Sequence, residues 1–285
     1  LNTLALYQAY RQFKPDVLHS FSRLAYLLPL LPGKGRKIMS YQRTPGARQI
    51  AFGVRLAGDS LRFTGCSEHI RATGAASGGT WYAIHNFVDS SHYTYQPSVE
   101  PDAPLVFLSR VERIKGAHTA ISFAKKTGRK LLIAGNRMEE GEGLRYWKNE
   151  IEPQLGKNGI EYIGPVDDHQ KNSLLGSALA MIVPIEWEEP FGIVFVESLA
   201  CGTPVITSAR GAAPEIIRDG VEGVFLDGSS DEGECLRKIK EIDRAACRRR
   251  IETAFSADIV VAQYETLYRS FFDQGRGVLP QEEAV

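Results

Sequence analysis

The sequence predicts an α/β protein with two doubly wound units of parallel sheet, the first of them incomplete. From residue 105 onward, short apolar runs alternate with helical patterns at the spacing of repeated strand–helix–strand units. Residues 1–97 show the same alternation less completely. The composition, 43% hydrophobic and 24% charged, is that of an ordinary globular chain. Apolar strands separated by helices form parallel sheets covered on both faces.

The first unit, residues 1–97, opens with a predicted helix at residues 2–13. Because the first element is a helix and the first residue is Leu rather than Met, we expect one or two leading strand–helix units of such a fold to be absent. Residues 95–104 contain three prolines and little apolar content, which indicates a linker to the second unit. The strands predicted in the first unit are DVLHS (16–20), KIMSY (37–41), RFTGCS (62–67) and AIHN (83–86).

The second unit, residues 98–255, carries the more complete series of strands and helices. A helix predicted at 256–273 is apolar on one side and needs a partner on which to pack, and residues 274–285 are expected to form a flexible tail. The predicted strands are LVFLS (105–109), KLLIAG (130–135), IEYIG (160–164), LAMIVP (179–184), PVITS (204–208) and GVFLD (223–227). The predicted helices lie near 117–127, near 142–155, after Asp168, near 191–200 and from Pro214.

Composition and charge limit the possible locations and partners. The longest apolar run near the start, residues 24–31, is broken by Pro29 and is too short to predict a transmembrane helix. The four cysteines form no CxxC pair and no signal peptide is recognisable, which favours a reducing cytoplasm. Residues 1–97 carry 11 Lys and Arg against 4 Asp and Glu, and the remainder carries 23 against 30. This basic part favours an anionic partner or peripheral contact with the inner membrane face, although a solvated face without a partner explains it equally well.

The most informative segment is EEPFGIVFVESLACGTPVITSARGAAPEII, at residues 188–217. Pro190 is suited to the first turn of a helix, and Gly192 allows a ligand to approach the backbone. The amides near the start of this helix would then face the carboxyl end of the sheet and suit a diphosphate or sugar oxygens. Glu189 and Glu197 lie about 12 Å apart along such a helix, at 1.5 Å rise per residue. They are therefore too far apart for an acid/base pair but can hold two parts of one long ligand. For a pair of glutamates taken alone, two solvated surface acids are the simpler explanation.

A second segment, FLSRVERIKGAH at residues 107–118, places Arg110 after a strand and Lys115 at the start of the next helix. Both cations can reach the same edge of the sheet, and together they suit a pyrophosphate. An ion pair between Arg110 and Glu112, or simple exposure to solvent, explains this pattern equally well. The two segments taken together are more specific than either alone.

These segments resemble a known family. EPFGIVFVE resembles the Glu-x7-Glu signature of the group 1, or family four, retaining glycosyltransferases. SRVERIKG resembles that family's diphosphate segment, while LLIAG and YIGPV resemble its loops beside the donor. ACGTPVI, GAAPEII, CSE and HNFVD resemble further family segments. The resemblance implies the GT-B fold, in which two Rossmann-like domains with parallel sheets face a cleft and the last helix returns to the N-terminal domain.

The resemblance also implies a donor site for a nucleoside-diphosphate sugar carrying uridine, guanosine or adenosine, and a hydroxyl acceptor that is a glycan, a small molecule or a lipid-linked or otherwise anionic compound. Arg110 and Lys115 would neutralise the diphosphate and, with Glu189, act in catalysis, while Glu197 would hold the ribose. The sequence contains no Asp-x-Asp motif, so neither a metal ion nor another cofactor is expected. The implied donor-binding positions are Arg110, Lys115, Gly135, Gly164, Val166, Glu189, Phe191, Gly192, Ile193, Val194 and Glu197.

The sequence departs from this family at several positions. The Gly-rich loop that closes over the donor in the family is absent, and residues 41–43 read Tyr-Gln-Arg where many members have a His. No catalytic histidine is therefore assigned. GAAPE replaces the frequent Gly-Gly, and Phe87 stands where Gly is usual. A non-catalytic subunit that binds sugar nucleotides, or a fragment that needs a further N-terminal portion for activity, is the alternative to an active transferase.

Other candidate sites are explained by structure alone. His19, His69 and His85 are scattered along the chain and are expected to be structural or exposed. Residues 248–250, three consecutive arginines, are expected on a solvated helix face, and no aromatic residues interleave them to suggest binding of nucleic acid. A nicotinamide-dependent enzyme would need GxGxxG after an early strand, which neither unit supplies.

Overall fold

A computed structural model of the chain describes residues 2–272, and the tail predicted at 274–285 lies outside these residues. The described residues form a four-stranded sheet of order β1-β2-β3-β4 and a six-stranded sheet of order β10-β9-β8-β5-β6-β7, and every pairing is parallel. The predicted α/β fold with two parallel sheets is confirmed. Within residues 2–272, no helix combines the length and apolar character that crossing a membrane requires.

The elements follow one another in strand–helix order. Those that contribute to the first sheet are α1 (Asn2–Phe13), β1 (Val17–Ser20), β2 (Arg36–Tyr41), α2 (Ala47–Ala57), β3 (Leu61–Gly65), α3 (Glu68–Ala75) and β4 (Thr80–Ala83). The second sheet and its first helices comprise β5 (Leu105–Leu108), α4 (Ala117–Thr127), β6 (Leu131–Ala134), α5 (Gly141–Tyr146), β7 (Ile160–Gly164), α6 (Asp168–Ser177) and β8 (Ala180–Val183). The chain continues through α7 (Ile193–Ala200), β9 (Val205–Thr207), α8 (Ala213–Ile216), β10 (Gly223–Phe225), α9 (Glu232–Glu241), α10 (Arg244–Ala254) and α11 (Ala257–Arg269).

One face of the first sheet carries an aromatic core. Successive side chains of a strand point to opposite faces, so alternate residues of β2, β3 and β4 meet on this side. The Phe63 and Trp81 rings stack with centroids 4.7 Å apart, and Tyr41 lies 5.5 Å from Trp81. Leu27 and Ile50 close this core.

The opposite face of the first sheet is covered by the last helix. Val260 and Leu267 of α11 pack on Ile38 of β2 and on Ile84. This contact buries the apolar side of α11.

His19, expected to be structural or exposed, lies half-buried beside this helix. Its ring nitrogens lie 2.6 Å from Ser40 Oγ and 2.7 Å from the Tyr268 hydroxyl, and burial lowers the pKa of His19 to about 4. A neutral ring then links the sheet to α11.

One predicted strand is displaced, and two predicted helices lie close to the predicted ranges but differ in detail. The strand predicted at 83–86 lies at Thr80–Ala83, because β4 pairs with residues Arg62–Gly65 of β3 and β3 ends at Gly65. The helix predicted near 142–155 is α5 followed by a single wide π turn at Trp147–Ile151 and a short 3₁₀ turn. The helix predicted from 191 begins at Ile193, for a reason given below.

Candidate functional site

The second sheet has a topological switch point between β5 and β8. The chain runs from β5 to β6 and β7 on one side, and from β8 to β9 and β10 on the other. The loops that follow β5 and β8 therefore diverge, which opens a crevice at the carboxyl ends of the strands, where α/β proteins bind ligands. These loops, residues 109–116 and 184–192, contain the two segments that the sequence singled out.

Lys115 and Glu189 meet in this crevice. Lys115 Nζ lies 2.6 Å from Glu189 Oε2, and each side chain is only 12% exposed. Trp187 Nε1 donates to the same oxygen at 2.9 Å, and Lys115 Nζ lies 4.5 Å from the centre of the Trp187 ring. Glu189 Oε1 accepts no hydrogen bond from residues 2–272 and is not sealed from solvent. One oxygen of this carboxylate is therefore fixed, and the other is open to a ligand.

A glycine allows the two loops to approach. Gly116 has a φ of +78°, and a Cβ at this position would lie 2.1 Å from the Pro184 carbonyl oxygen. The Glu186 amide also donates to the Ile114 carbonyl at 2.8 Å. Any other residue at 116 would push the loop after β5 away from the loop after β8. The Lys-Gly pair at 115–116 thus places the cation and permits the contact.

The start of α7 differs from the prediction. Pro190 does not lie in the first turn, because Gly192 occupies the N-cap with a φ of +88° and Ile193 is the first helical residue. The positive φ of Gly192 turns the backbone immediately before the helix, so the helix cannot begin at Pro190. Among residues 2–272, the amides of Ile193 and Val194 have no acceptor, whereas the Phe195 amide is bound by the Gly192 carbonyl at 2.9 Å. Two free amides therefore remain at this helix start.

Gly192 is also packed closely against its surroundings. A Cβ at this position would lie 2.5 Å from the Phe195 ring and 3.3 Å from Glu189 Cγ. Phe191 is buried, and its ring centroid lies 6.0 Å from that of His85. The backbone of 191–194 consequently lies between Glu189 and the first half of the chain.

Glu197 lies on α7 and faces a different set of partners. Lys171 Nζ lies 2.6 Å from Glu197 Oε1, and the Tyr93 hydroxyl donates to the same oxygen at 2.9 Å. Asp168 lies 3.0 Å from Lys171 Nζ. Burial lowers the pKa of Lys171, but hydrogen bonds to Glu197 and Asp168 outweigh it, and the net shift is upward. These residues line a cavity of about 390 Å³ together with His92, His169 and Asn172.

Arg110 is not drawn into the crevice. Its side chain is 58% exposed and pairs with Glu112, with 2.7 Å between Nη1 and Oε1. Within residues 2–272, Arg110 donates no hydrogen bond to Glu189, the carboxylate that Lys115 binds. The ion pair that the sequence left open as an alternative is thus present, and the diphosphate role of Arg110 stays a prediction.

Gly135 and Gly164 join the loops after β6 and β7. Gly135 has a φ of +134°, and its amide donates to the Gly164 carbonyl at 2.9 Å. A Cβ on Gly135 would lie 1.9 Å from the Ser109 carbonyl oxygen, so this loop packs directly on the loop after β5. Val166 is half-buried beside a second, shallower cavity of about 480 Å³. Gly135 therefore lies beside the loop after β5, and the predicted donor roles of Gly135, Gly164 and Val166 stay predictions.

The loop at 210–216 connects Glu189 to the first half of the chain. The Ala212 amide donates to the Glu189 carbonyl at 2.8 Å. The Glu215 carboxylate accepts from the Glu68 amide at 2.6 Å and the His69 amide at 2.8 Å, which are the first amides of α3. His85 Nε2 donates to Glu215 at 2.9 Å. Glu215 therefore caps α3 in the first half of the chain. The same short loop binds the Glu189 carbonyl through Ala212, so it connects Glu189 to α3.

Replacing Glu215 by Gln is expected to lower the free energy of unfolding by about 1 kcal/mol at neutral pH, because a carboxylate at a helix N-terminus is lost. Burial raises the pKa of Glu215, but hydrogen bonds from His85 and the two amides lower it below its ordinary 4.5 overall. A lowered folded-state pKa stabilises the protein above pH 4.5, and this contribution disappears as the pH falls through the folded-state value.

Urea unfolding from pH 7 to pH 3 measures this effect of Glu215. The difference between wild type and Glu215→Gln should be full at pH 7 and shrink below pH 4.5. A difference that stays constant with pH would contradict the charge-based cap. Glu265→Gln, in an exposed helical pair with Arg269, is the control and should change stability little.

The expectation for residues 248–250 is wrong for two of the three arginines. Arg248 donates to the carbonyls of Tyr93 and Ala200, and Arg250 donates to those of Glu215 and Ile216. Only Arg249 is solvated, with 62% of its side chain exposed. Consecutive helical residues point in different directions, so a run of like residues cannot share one solvated face.

Four residues at this site were missed by sequence reasoning. Lys171, Tyr93 and Trp187 bind the two glutamates, and Glu215 joins the halves. Trp187 stands two residues before Glu189, so its position could have drawn attention. Lys171 and Tyr93 carried no comparable signal, because their contacts depend on folding. Among residues 2–272, no group of three or more His, Cys, Asp or Glu is arranged to hold a metal ion.

Comparison with protein families gives one domain match. Residues 96–254, more than half of the chain, match the family described as glycosyl transferases group 1. The D-inositol 3-phosphate glycosyltransferase of Mycolicibacterium smegmatis is 28% identical over 171 residues, which cover 56% of this chain and 39% of that protein. The N-acetyl-alpha-D-glucosaminyl L-malate synthase of Bacillus anthracis is 28% identical over 207 residues, or 65% of this chain and 52% of that protein. The chain thus spans about half the length of these relatives or less.

Solved structures share the fold at low sequence identity. HepE of Anabaena in complex with UDP has a TM-score of 0.79 at 17% identity, over 94% of this chain and 82% of that one. The sucrose-phosphate synthase of Thermosynechococcus elongatus has a TM-score of 0.76 at 18% identity, over 96% of this chain and 78% of that one. These similarities show a GT-B architecture.

Proposed function

The chain belongs to the group 1 glycosyl transferases, and on this premise we propose that it transfers a sugar from a nucleoside-diphosphate sugar to a hydroxyl acceptor with retention of the anomeric configuration. The observation that carries the proposal is the pairing of Lys115 with Glu189 at 2.6 Å in the switch-point crevice. A cation and a half-engaged carboxylate lie there beside two free amides at the start of α7. A diphosphate and a sugar require such a combination of charges and acceptors.

The bond changes of sugar transfer require a specific contribution from each residue of the site. The bond between the sugar C1 and the diphosphate oxygen breaks, the acceptor oxygen bonds to C1, and the acceptor proton leaves toward the departing diphosphate. Negative charge grows on the diphosphate, which Lys115 and the amides of Ile193 and Val194 would stabilise. Glu189 Oε1 would accept a hydrogen bond from a hydroxyl of the transferred sugar. No metal ion is needed in this scheme.

Arg110 would complete the diphosphate site by leaving Glu112. The Arg110 side chain is 58% exposed, so solvent weakens its attraction to Glu112 and a diphosphate can replace the carboxylate as its partner. The guanidinium fork can then bind two phosphate oxygens. We propose Gly135, Gly164 and Val166 as the border beside the nucleobase, and Glu197 as the acceptor for the ribose.

Uridine is the first base to test. HepE of Anabaena has been solved with UDP and with UDP-glucose. The acceptor is proposed to bind on the first half of the chain, residues 1–97, whose excess of basic residues favours an anionic or lipid-linked acceptor at the inner membrane face. A cytoplasmic enzyme with peripheral membrane contact fits this proposal.

Thermal unfolding with UDP, GDP, ADP and their sugars tests donor binding. A ligand at 100 times its dissociation constant should add about 2.7 kcal/mol to the free energy of unfolding. Arg110→Ala should lose most of this shift, because a bidentate contact to the diphosphate is removed. Arg237→Ala, which also removes an exposed arginine from an ion pair, is the matched control and should keep the shift.

Two outcomes would contradict parts of the proposal. An unchanged shift in Arg110→Ala would remove the diphosphate role of Arg110. Binding without release of nucleoside diphosphate in the presence of any hydroxyl acceptor would favour the non-catalytic sugar-nucleotide-binding subunit.

A further inference from the structure

Glu189, which precedes α7, and Glu197, which lies on α7, are held by the same kinds of donor. Glu189 Oε2 is bound by Lys115 at 2.6 Å and by Trp187 Nε1 at 2.9 Å. Glu197 Oε1 is bound by Lys171 at 2.6 Å and by the Tyr93 hydroxyl at 2.9 Å. Each carboxylate thus has one oxygen occupied by a lysine and an aromatic donor.

The second oxygen of Glu197 has no partner. Within residues 2–272, Glu197 Oε2 accepts no hydrogen bond, and it is not among the atoms sealed from solvent. The residue as a whole is only 9% exposed, and the cavity of about 390 Å³ lies in front of it. A nearly buried carboxylate oxygen that faces a cavity requires a donor, and a hydroxyl of a ligand is one.

Lys171 and Tyr93 are themselves held in place by separate elements. Lys171 belongs to α6, and its Nζ lies 3.0 Å from Asp168 Oδ1 on the same helix. Tyr93 belongs to the segment between the two sheets, where its carbonyl accepts from Arg248 at 3.1 Å. The neighbouring Thr94 amide donates to Asn172 of α6 at 2.9 Å. The segment that carries Tyr93 is therefore tied to α6, the helix that carries Lys171, so the two donors to Glu197 are held relative to each other.

We propose that Lys171 and Tyr93 are positioning residues for nucleotide recognition, which occupy Glu197 Oε1 and thereby orient Oε2 as an acceptor toward the ribose hydroxyls. Neither residue contacts the reacting atoms. This inference rests on the proposed function, because it names the part of the donor that Glu197 reads. One consequence is that the ribose hydroxyls contribute to affinity only while Glu197 is held in this orientation.

Removing either donor should loosen the carboxylate. Without Lys171 the Glu197 side chain would have to remain charged in a nearly buried position with a single neutral donor, so Oε2 would be misplaced or protonated. Without the Tyr93 hydroxyl the lysine would still hold Oε1, and the effect should be smaller. The ring of Tyr93, which lies 6.0 Å from Lys171 Nζ, would remain in place.

The test compares UDP with 2′,3′-dideoxy-UDP for each protein by titration calorimetry, with GDP and ADP pairs if UDP does not bind. Wild type should bind the dideoxy analogue about 10-fold or more weakly than UDP. Lys171→Met should bind UDP about 10- to 100-fold more weakly and lose the discrimination. Tyr93→Phe should fold normally and show a smaller loss of both.

Each result decides the inference. Variants that bind UDP more weakly but keep the wild-type preference between UDP and the dideoxy analogue would overturn it, because a structural defect alone weakens all ligands equally. Wild type that binds UDP and 2′,3′-dideoxy-UDP equally well would overturn the role of Glu197 in ribose recognition. Lys126→Met, which breaks an exposed 2.6 Å pair with Glu232, is the matched control and should bind like wild type. Wild type that binds no nucleoside diphosphate at all would overturn the proposed function itself.

Discussion

Replacement of Lys115 by Met is expected to lower kcat for sugar transfer by about 10²- to 10³-fold, the loss observed when one preorganised electrostatic contact to a developing negative charge is removed. The Lys115 ammonium is held between Glu189 and the Trp187 ring and is only 12% exposed, so it does not have to reorganise during the reaction. The substitution also frees Glu189 Oε2 from one of its two donors. Rates measured at saturating donor and acceptor separate this effect from a loss of binding.

The Lys115 prediction has a matched control on the following helix. Lys125→Met removes a lysine of α4 whose only side-chain partner among residues 2–272 is Gln154, so it should leave kcat unchanged. Circular dichroism and thermal unfolding would verify that both variants are folded. A Lys115→Met protein with kcat within 3-fold of wild type would exclude the proposed electrostatic role of this residue.

Arg244→Met is expected to destabilise the protein by about 2–4 kcal/mol, because several buried acceptors lose their donor and each buried group left unsatisfied costs about 1–3 kcal/mol. Arg244 is 8% exposed, and it donates to the carbonyls of Gln96, Gly176 and Ala178 and to the Thr203 hydroxyl. Methionine fills a similar volume but leaves these acceptors without a donor. Burial lowers the pKa of Arg244 without removing its charge near neutral pH.

Equilibrium unfolding in urea measures the effect of Arg244→Met. Arg249→Met, five residues further along α10 and 62% exposed, should change the free energy of unfolding by less than about 0.5 kcal/mol. If the two substitutions cost the same, the buried hydrogen bonds of Arg244 would not be the source of stability. Because Gln96 lies between the two sheets, we also expect Arg244→Met to increase proteolysis of residues 90–104.

The arrangement of the crevice could be predicted because it depends on strand order. Lys115 and Glu189 each follow a strand that is apolar throughout, and adjacent parallel strands release their loops at one edge. The sequence could not decide whether Arg110 points into the crevice, because the same side chain can reach either Glu112 or a ligand in the crevice. The observed pair with Glu112 reflects local spacing of two residues.

Other details depended on interactions that no local pattern contains. Pro190 fits the preference for a first helical turn, but the positive φ of Gly192 delays the helix to Ile193. The position of β4 was fixed by its partner β3 rather than by the apolar letters of residues 83–86. Lys171 and Tyr93 lie 26 and 104 residues from Glu197, so only the folded chain brings them together.

The loop at 210–216 has a consequence for engineering. Its backbone binds the Glu189 carbonyl through Ala212, and three residues later Glu215 holds the start of α3. A chimera that joins residues 98–255 to the first domain of another GT-B protein would therefore have to place a helix N-terminus where Glu68 and His69 lie and a side-chain donor where His85 lies. Without these contacts Glu215 would lose its partners across the chimeric junction, and the loop that binds the Glu189 carbonyl would be less firmly held.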